Sequence, residues 1–299
     1  MDQASGLRQM VRKKARDMRD GIKLSKFGAG PSFPRVISVT SGKGGVGKTN
    51  IVGNLAIAFK MLGKRVLILD GDLGLANIDI IFGLNPAYNI KHVISGEKDL
   101  ADVIVNGPRG IRIIPAGSGL HELVHLSQGE KLNLLNEFDR LDEAFDIFLI
   151  DTGAGISSNI MYFNMASEER IVVVTSEPTS ITDAYALMKV LFKKYGTNTF
   201  KLLVNMVEST RDAKSVFLNL SNAVEHFLSD ISLEYLGFVP KDENVERAVK
   251  QQRAVIECYP ESASSKEFHE LACRLLASSK DMASDGNIKF FWRKLITRQ

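Results

Sequence analysis

Seven short runs of apolar, mostly β-branched residues punctuate the chain: "RVISVT" (35–40), "RVLILD" (65–70), "IRIIPAG" (111–117), "DIFLID" (146–151), "RIVVVTS" (170–176), "KLLVNMV" (201–207) and "LEYLGFVP" (233–240). Most are nearly continuous in apolar residues, where strict alternation would mark a sheet with one wet face. Continuous runs are expected of strands buried on both sides of a parallel sheet. Helix-length segments lie between them, including Asn50 to Leu62, Thr182 to Tyr195 and Ala213 to Ser229. Strand and helix in alternation predict a doubly wound α/β domain, mainly parallel, with helices on both faces. The domain is expected over about residues 33–280, without internal repeats. "GAGPSFP" (28–34) reads as a linker joining it to an N-terminal helical segment, so that 1–32 forms an arm. "SSKDMASDGN" (278–287) reads as a second flexible linker leading into a tail, 281–299.

Composition sharpens this picture in two respects. With 299 residues, 44% hydrophobic and 24% charged, the balance is that of an ordinary globular chain able to bury one large core. Cys258 and Cys273 form no C-x-x-C pair, which argues against a zinc ribbon or disulfide framework and suits a reducing cytosol. No apolar run reaches the length of a membrane span, and the basic N-terminus lacks the apolar centre of a signal peptide. The net charge of +3 is uneven: residues 1–26 carry eight Lys/Arg against three Asp, and the last eleven carry four Lys/Arg and no acid. The body between them is therefore negative, so direct nucleic-acid binding by the body is not expected, whereas the tails favour anionic partners.

The chemistry concentrates at "SGKGGVGKT" (41–49). Gly42 to Thr49 fits G-x-x-x-x-G-K-[ST] after a predicted strand and before a predicted helix, the context that makes this pattern a phosphate loop. Gly42, Gly44, Gly45 and Gly47, with Val46 between, let backbone N–H groups curl around phosphates at the positive end of the helix that Asn50 enters. Lys48 is placed for the β- and γ-phosphates and Thr49 for Mg²⁺. Lys43 is a second cation at the loop's outer lip, where it can reach the phosphates of a second subunit. Asp151 closes the strand "FLID" as a metal-side carboxylate, with a plain loop N-cap as the alternative. Asp70 and Asp72, one residue apart at a strand end, point to opposite sides of the chain and cannot share a role. A helix N-cap is the alternative for each.

These motifs resemble the MinD/ParA family of deviant Walker A P-loop NTPases (SIMIBI type). The loop K-G-G-x-G-K-[ST] and the segment "DGDLGLANID" (70–79) carry the likeness. The resemblance implies ATP and Mg²⁺ as cofactors, a homodimer sandwiching two nucleotides, and Lys43 acting across the interface in the manner of an arginine finger. It implies Asp72 as the water-orienting carboxylate, Asp70 nearer the metal and its waters, and Asn205, Pro240 and Asp242 around adenine. Thr152 and Gly153 stand where the cell-division member has Ser-Pro, so a more flexible loop is expected here.

Both tails extend the likeness. On a helix, Ile288, Phe291, Trp292, Leu295 and Ile296 of the C-terminal tail share one side, flanked by Lys289, Arg293, Lys294 and Arg298. This is the physical type of an interfacial anchor for anionic lipid; a helix packed on the body or on a partner protein is the alternative. The opening "DQASGLR", with Asp2, Gln3, Ala4, Leu7 and Arg8, resembles the D-Q-A-x-x-L-R segment of the flagellar-number regulators (FlhG/FleN) within that family. A disordered basic arm is the alternative. The resemblance implies activation of the SRP-type GTPase FlhF, contacts with C-ring switch proteins of the FliM/FliN type and with a flagellar transcription activator, slow ATP hydrolysis, and a cytoplasmic location reversibly associated with the inner membrane face. A ParA-like DNA or cargo segregation ATPase, a metal or iron–sulfur carrier of the same superfamily, and a non-hydrolysing ATP-locked scaffold are the competing readings.

Overall fold

The computed structural model describes residues 34–72, 77–115, 127–140, 145–228 and 230–278. The residues expected to bind a partner GTPase (Asp2, Gln3, Ala4, Leu7, Arg8) and membrane (Ile288, Phe291, Trp292, Leu295, Ile296) lie outside the described residues.

Eight strands form one sheet: β1 (Arg35–Ser41), β2 (Val66–Gly71), β3 (Val105–Asn106), β4 (Arg112–Ile114), β5 (Ile147–Ala154), β6 (Glu169–Val174), β7 (Thr199–Val207) and β8 (Ser232–Pro240). Their order is β3-β4-β2-β5-β1-β6-β7-β8, parallel throughout except for β3, which pairs antiparallel to β4. The helices that matter for the site are α1 (Lys48–Met61), α2 (Ile78–Ile81), α3 (Ile90–Ile94), α4 (Leu100–Val103), α5 (Gln128–Arg140), α6 (Ser158–Ala166), α7 (Pro178–Tyr195), α8 (Thr210–Phe227), α9 (Glu243–Lys250), α10 (Val255–Cys258) and α11 (Ala263–Ala277).

Alternation along each strand sorts the core into layers. Ile37, Val39, Ile68, Leu149 and Val173 face α1 and α11, while Val36, Leu69 and Ile150 face the layer around α3, α5 and α6. Val172, Leu202 and Val204 pack with α7 and α8. Period-two alternation with both faces apolar explains why these runs look unpatterned in the sequence. Helix α1 is buried without interruption from Ile51 to Phe59, so it sits inside the molecule with no wet face. Small residues permit that: at Gly53 a Cβ would already come within 3.1 Å of the Phe82 ring.

The structure departs from the expected elements at their ends. Strand β3 is only 2 residues long and carries no periodic signal. Strand β5 continues through Thr152 and Gly153 to Ala154, with Gly71 opposite Thr152 and Ser41 opposite Ala154. The positions expected to form a flexible loop are therefore strand. Helix α7 begins at Pro178, with proline in the first turn where its missing N–H is harmless, and α8 begins at Thr210 behind Ser209, whose hydroxyl caps Asp212 N at 3.2 Å.

Arg65 and Asp146 align the starts of β2 and β5. The Asp146 carboxylate accepts from Arg65 N at 2.7 Å, Nε at 3.1 Å and Nη2 at 2.9 Å. These hydrogen bonds hold the Asp146 carboxyl below its usual pKa, with partial burial opposing them. A depressed pKa stabilises the fold above the ordinary carboxylate value and ceases to do so as pH falls through the folded value. Half of the Arg65 side chain faces solvent, so Asp146→Asn is expected to cost roughly 0.5–1 kcal/mol at pH 7. Denaturant melts of wild type and variant should differ at pH 7, and the gap should narrow as pH falls below the ordinary carboxylate pKa; a gap that stays constant as pH falls would show that the ion pair contributes nothing.

Candidate functional site

The glycine-rich loop links β1 to α1 at the carboxyl ends of the two central strands, the position where open α/β sheets bind ligands. Gly45 and Gly47 adopt positive φ of 77° and 87°, and Gly47 is the residue immediately before α1. At Gly42 a Cβ would lie 2.2 Å from the Asp183 carbonyl, so the loop is wedged against the backbone of α7. At Gly45 a Cβ would meet nothing within 4 Å. The loop is thus supported on one side and open on the other, as a phosphate cradle has to be.

Lys48 is 7% exposed, and its ammonium donates to Ser41 Oγ at 3.0 Å, which in turn donates to Lys43 O at 2.7 Å. Burial lowers the Lys48 pKa, while the charges of Asp151 and then Asp72 raise it. Asp151 is 1% exposed, and neither carboxylate oxygen has a hydrogen-bond partner. Its pKa is pushed up to about 8, first by burial and then by Asp70, its neighbour across the β2–β5 ladder. Thr49 and Lys48 lie close enough to oppose that shift without completing a hydrogen bond of ordinary geometry.

A buried carboxylate with unsatisfied oxygens, beside a hydroxyl and beneath a cradle of N–H groups, is a donor set for a small hard cation and its phosphates. The site therefore fits Mg²⁺ and a nucleoside triphosphate: Thr49 and Asp151 could hold the metal, and residues 42–50 could surround the phosphates.

The other carboxylates are placed differently. Asp70, expected near the metal's waters, accepts backbone N–H groups from Asp72 at 3.2 Å, Asn77 at 3.0 Å and Ile78 at 3.2 Å. It anchors both ends of the segment between β2 and α2, the N-cap position of α2 itself being Asn77. Burial still outweighs those three bonds and pushes its pKa up to about 7. Asp72 lies beside β5, with Oδ1 3.5 Å from where a Cβ at Gly153 would stand. That is an ordinary contact, so an alanine would fit at 153.

Lys43 is brought to the site but not into the Lys48 pocket. Its ammonium pairs with Glu177 and with Thr179 Oγ1, the latter at 2.9 Å, just before and within the first turn of α7. Its side chain is 36% exposed, at the lip as expected. On the expected base side, Asn205 is buried and donates to Val46 O at 2.8 Å. Asn205 and Pro240 stand at the ends of the neighbouring strands β7 and β8. Asp242 caps α9 through Asn244 N at 2.9 Å and holds Ser264 N and Oγ at 3.1 and 2.8 Å, joining two helix starts. The adenine role expected of Asp242 thus falls on a carboxylate whose two oxygens already serve the fold.

Sequence reasoning missed Ser41, Glu177, Thr179 and Met206. Met206 is a non-glycine residue at φ 58°, 45% exposed, with Cε 3.1 Å from the Cβ position of Gly47. The available signal was positional: Glu177 and Thr179 follow the strand beside the phosphate-loop strand, and Met206 follows Asn205 at a strand end.

A family model described as "ParA: NUBPL iron-transfer P-loop NTPase" matches residues 32–276. The chain is 43% identical over 262 residues to the protein named antiactivator FleN of Pseudomonas aeruginosa, covering 88% of this chain and 93% of that one. It is 31% identical over 266 residues to the flagellum site-determining protein YlxH of Helicobacter pylori, covering 88% and 90%. Among solved structures, the septum site-determining protein MinD of Pyrococcus horikoshii complexed with Mg-ADP superposes with a TM-score of 0.65 at 26% identity, covering 82% of this chain and 97% of that one. The MinC:MinD complex of Aquifex aeolicus matches with a TM-score of 0.65 at 24% identity and supports the fold alone.

An unpaired buried polar group costs about 1–3 kcal/mol, so Asp151→Ala should raise the melting temperature of nucleotide-free protein while abolishing the further rise on adding Mg-ATP. Thermal melts with and without Mg-ATP decide this: a lower melting point with the Mg-ATP response intact would contradict the assignment.

Proposed function

The chain belongs to the ParA family of P-loop NTPases, and from that membership we propose that it is a switch ATPase which controls the number and placement of bacterial flagella. ATP and Mg²⁺ are its cofactors, and hydrolysis of ATP is the family's chemistry. The observation that carries the reading is the pairing of two lysines with separate stations: Lys48 buried against Ser41, and Lys43 at the exposed lip on Glu177 and Thr179. One lysine serves the nucleotide of its own chain, and the other is available to a second copy.

Bound Mg-ATP supplies the transferable phosphoryl group and the metal charge that stabilises its transfer. The chain's own groups do the rest. The loop's backbone N–H groups and Lys48 hold and orient the phosphates. Thr49 and Asp151 hold the metal, and Asp70 fixes the segment that carries Asp72. Asp72 orients the attacking water. Lys43 leaves Glu177 and meets the partner's phosphates, so that dimerisation completes each site. Asn205, Pro240 and Asp242 border the adenine, Asp242 by holding the loop rather than by direct contact.

Flagellar control rests on the likeness to two proteins whose names state an antiactivator and a flagellum site-determining role. The first supports a transcription activator as partner. The N-terminal residues Asp2, Gln3, Ala4, Leu7 and Arg8 would activate an FlhF-type GTPase, and FliM/FliN-type switch proteins would be the C-ring contacts. The C-terminal segment with Ile288, Phe291, Trp292, Leu295 and Ile296 would bind anionic lipid. Two such tails on one ATP dimer gain roughly 10²–10⁴ in avidity over one, so attachment would report nucleotide state. No helix among the described residues is long and apolar enough to cross a membrane.

The test is co-sedimentation of Asp72→Ala, which binds ATP without consuming it, with anionic liposomes at physiological salt. Pelleting in Mg-ATP and not in ADP is expected. Equal pelleting in both would remove nucleotide control of attachment, and none in either would remove the membrane role.

A further inference from the structure

Beneath the phosphate loop, the β1 face turned away from α1 carries two hydroxyls in an otherwise apolar layer. Ser38 and Thr40 are both fully buried, as is Asn164 on α6. Ser38 Oγ donates to Asn164 Oδ1 at 3.1 Å, and Asn164 Nδ2 donates to Thr40 Oγ1 at 3.1 Å and to Ile160 O at 2.8 Å. The Asn164 carbonyl in turn accepts from Arg170 Nε at 2.7 Å, and that guanidinium also reaches the carbonyls of Ser167 and Glu168. The C-terminal half of α6 is thus fixed twice by directional bonds: through its side-chain amide to β1, and through its last carbonyls to a cation on β6.

The other end of α6 is held differently. Its N-cap, Ser157, makes no side-chain capping bond, and Ile156 just before it is 55% exposed. Gly155 at φ 99° hangs from Ser41 O by its N–H at 2.9 Å. Residues 152–157 therefore run from the metal-side strand, past Asp72, to the open end of a helix whose far end is pinned to the strand that carries the phosphate loop.

We infer that Asn164 is a positioning residue for ATP hydrolysis: through Ser38 and Thr40 it fixes the register of α6 on β1, and so the placement of residues 152–157 opposite the phosphate loop. Asn164 lies about 9 Å along the helix from Ser158, and its side-chain amide is taken up by Ser38, Thr40 and Ile160 O, so it acts through them. Apolar packing would hold α6 nearly as firmly, but it is non-directional and tolerates sliding, whereas the two hydrogen bonds that join Asn164 to Ser38 and Thr40 specify one register. The inference rests on the ATPase reading above.

The experiment is steady-state ATP hydrolysis in Mg-ATP with melting temperature measured alongside, on the full chain. Wild type comes first: without hydrolysis there, the ATPase reading itself fails. Thr40→Val, which keeps shape and removes one hydroxyl, and the apolar triple variant Ser38→Ala/Thr40→Val/Asn164→Leu are compared with Thr40→Ser, which retains the hydroxyl. The triple variant leaves no orphaned polar partner and is expected to melt near wild type. Misplacement of this kind costs up to about 10²-fold in rate, and a fall in kcat of roughly tenfold is expected for the triple variant, with KM unchanged and Thr40→Ser near wild type. Wild-type kcat in the triple variant would overturn the inference. So would a rise in KM at constant kcat, which would make the network a support for nucleotide binding. If the triple variant melts low, the comparison of Thr40→Val with Thr40→Ser decides, and equal kcat in those two overturns it.

Discussion

The molecule is organised around one carboxylate that it leaves unpaired. Asp151 lies within β5, the strand between β1 and β2, is shielded from water, and finds no hydrogen-bond partner for either oxygen. Such a group is unfavourable in the isolated fold and favourable only when a cation and phosphates arrive. The surrounding elements serve that arrangement. The loop from Gly42 to Gly47 is wedged on α7 and opens toward the nucleotide, Lys48 is buried at its base, and Asp70 ties down the segment that follows β2. Under the proposed function, Mg-ATP would offset the free energy lost at Asp151, which would link nucleotide binding to the stability of the central strands.

A second constraint separates this site from a simple nucleotide pocket. Lys43 stands outside, on Glu177 and Thr179, with its side chain partly open to solvent. An exposed ion pair is worth little, roughly 0–1 kcal/mol, so it restrains the lysine weakly and a more strongly charged phosphate would draw it away. Under the proposed function, a chain whose buried half-site binds nucleotide and whose exposed lysine completes another copy's site would behave as a sensor of its own dimerisation. That property suits a protein that reports ATP occupancy to other proteins or a membrane.

What the sequence shows of this follows from locality. The parallel strands are legible because burial on both faces produces unbroken apolar runs, and the phosphate loop because its nine residues are contiguous. Strand β3, at 2 residues, offers no period to read. The partners of the loop lie far along the chain: Lys43 and Glu177 are 134 residues apart, Val46 and Asn205 are 159 apart. Asp70, metal-side by likeness, also holds Asn77 N and Ile78 N, and Asp242, adenine-side by likeness, also holds Ser264 N. Short polar side chains at strand ends serve either purpose, and only the folded geometry separates them. Asn164 is invisible in the sequence, since the second of two asparagines in the helix "SNIMYFNMA" gives no sign that two hydroxyls of β1 await it.

The central claim is that each active site is completed by the other chain, and complementation measures it directly. Lys43→Ala and Asp72→Ala are each expected to be inactive alone. In an equal mixture, half of the dimers pair the two variants, and one of their two sites then has its own Asp72 and the partner's lysine. Hydrolysis should recover to roughly a quarter of the wild-type rate in Mg-ATP. If Lys43 serves its own nucleotide, no site in the mixture is complete. The mixture would then be as inactive as its components, and the account would be wrong.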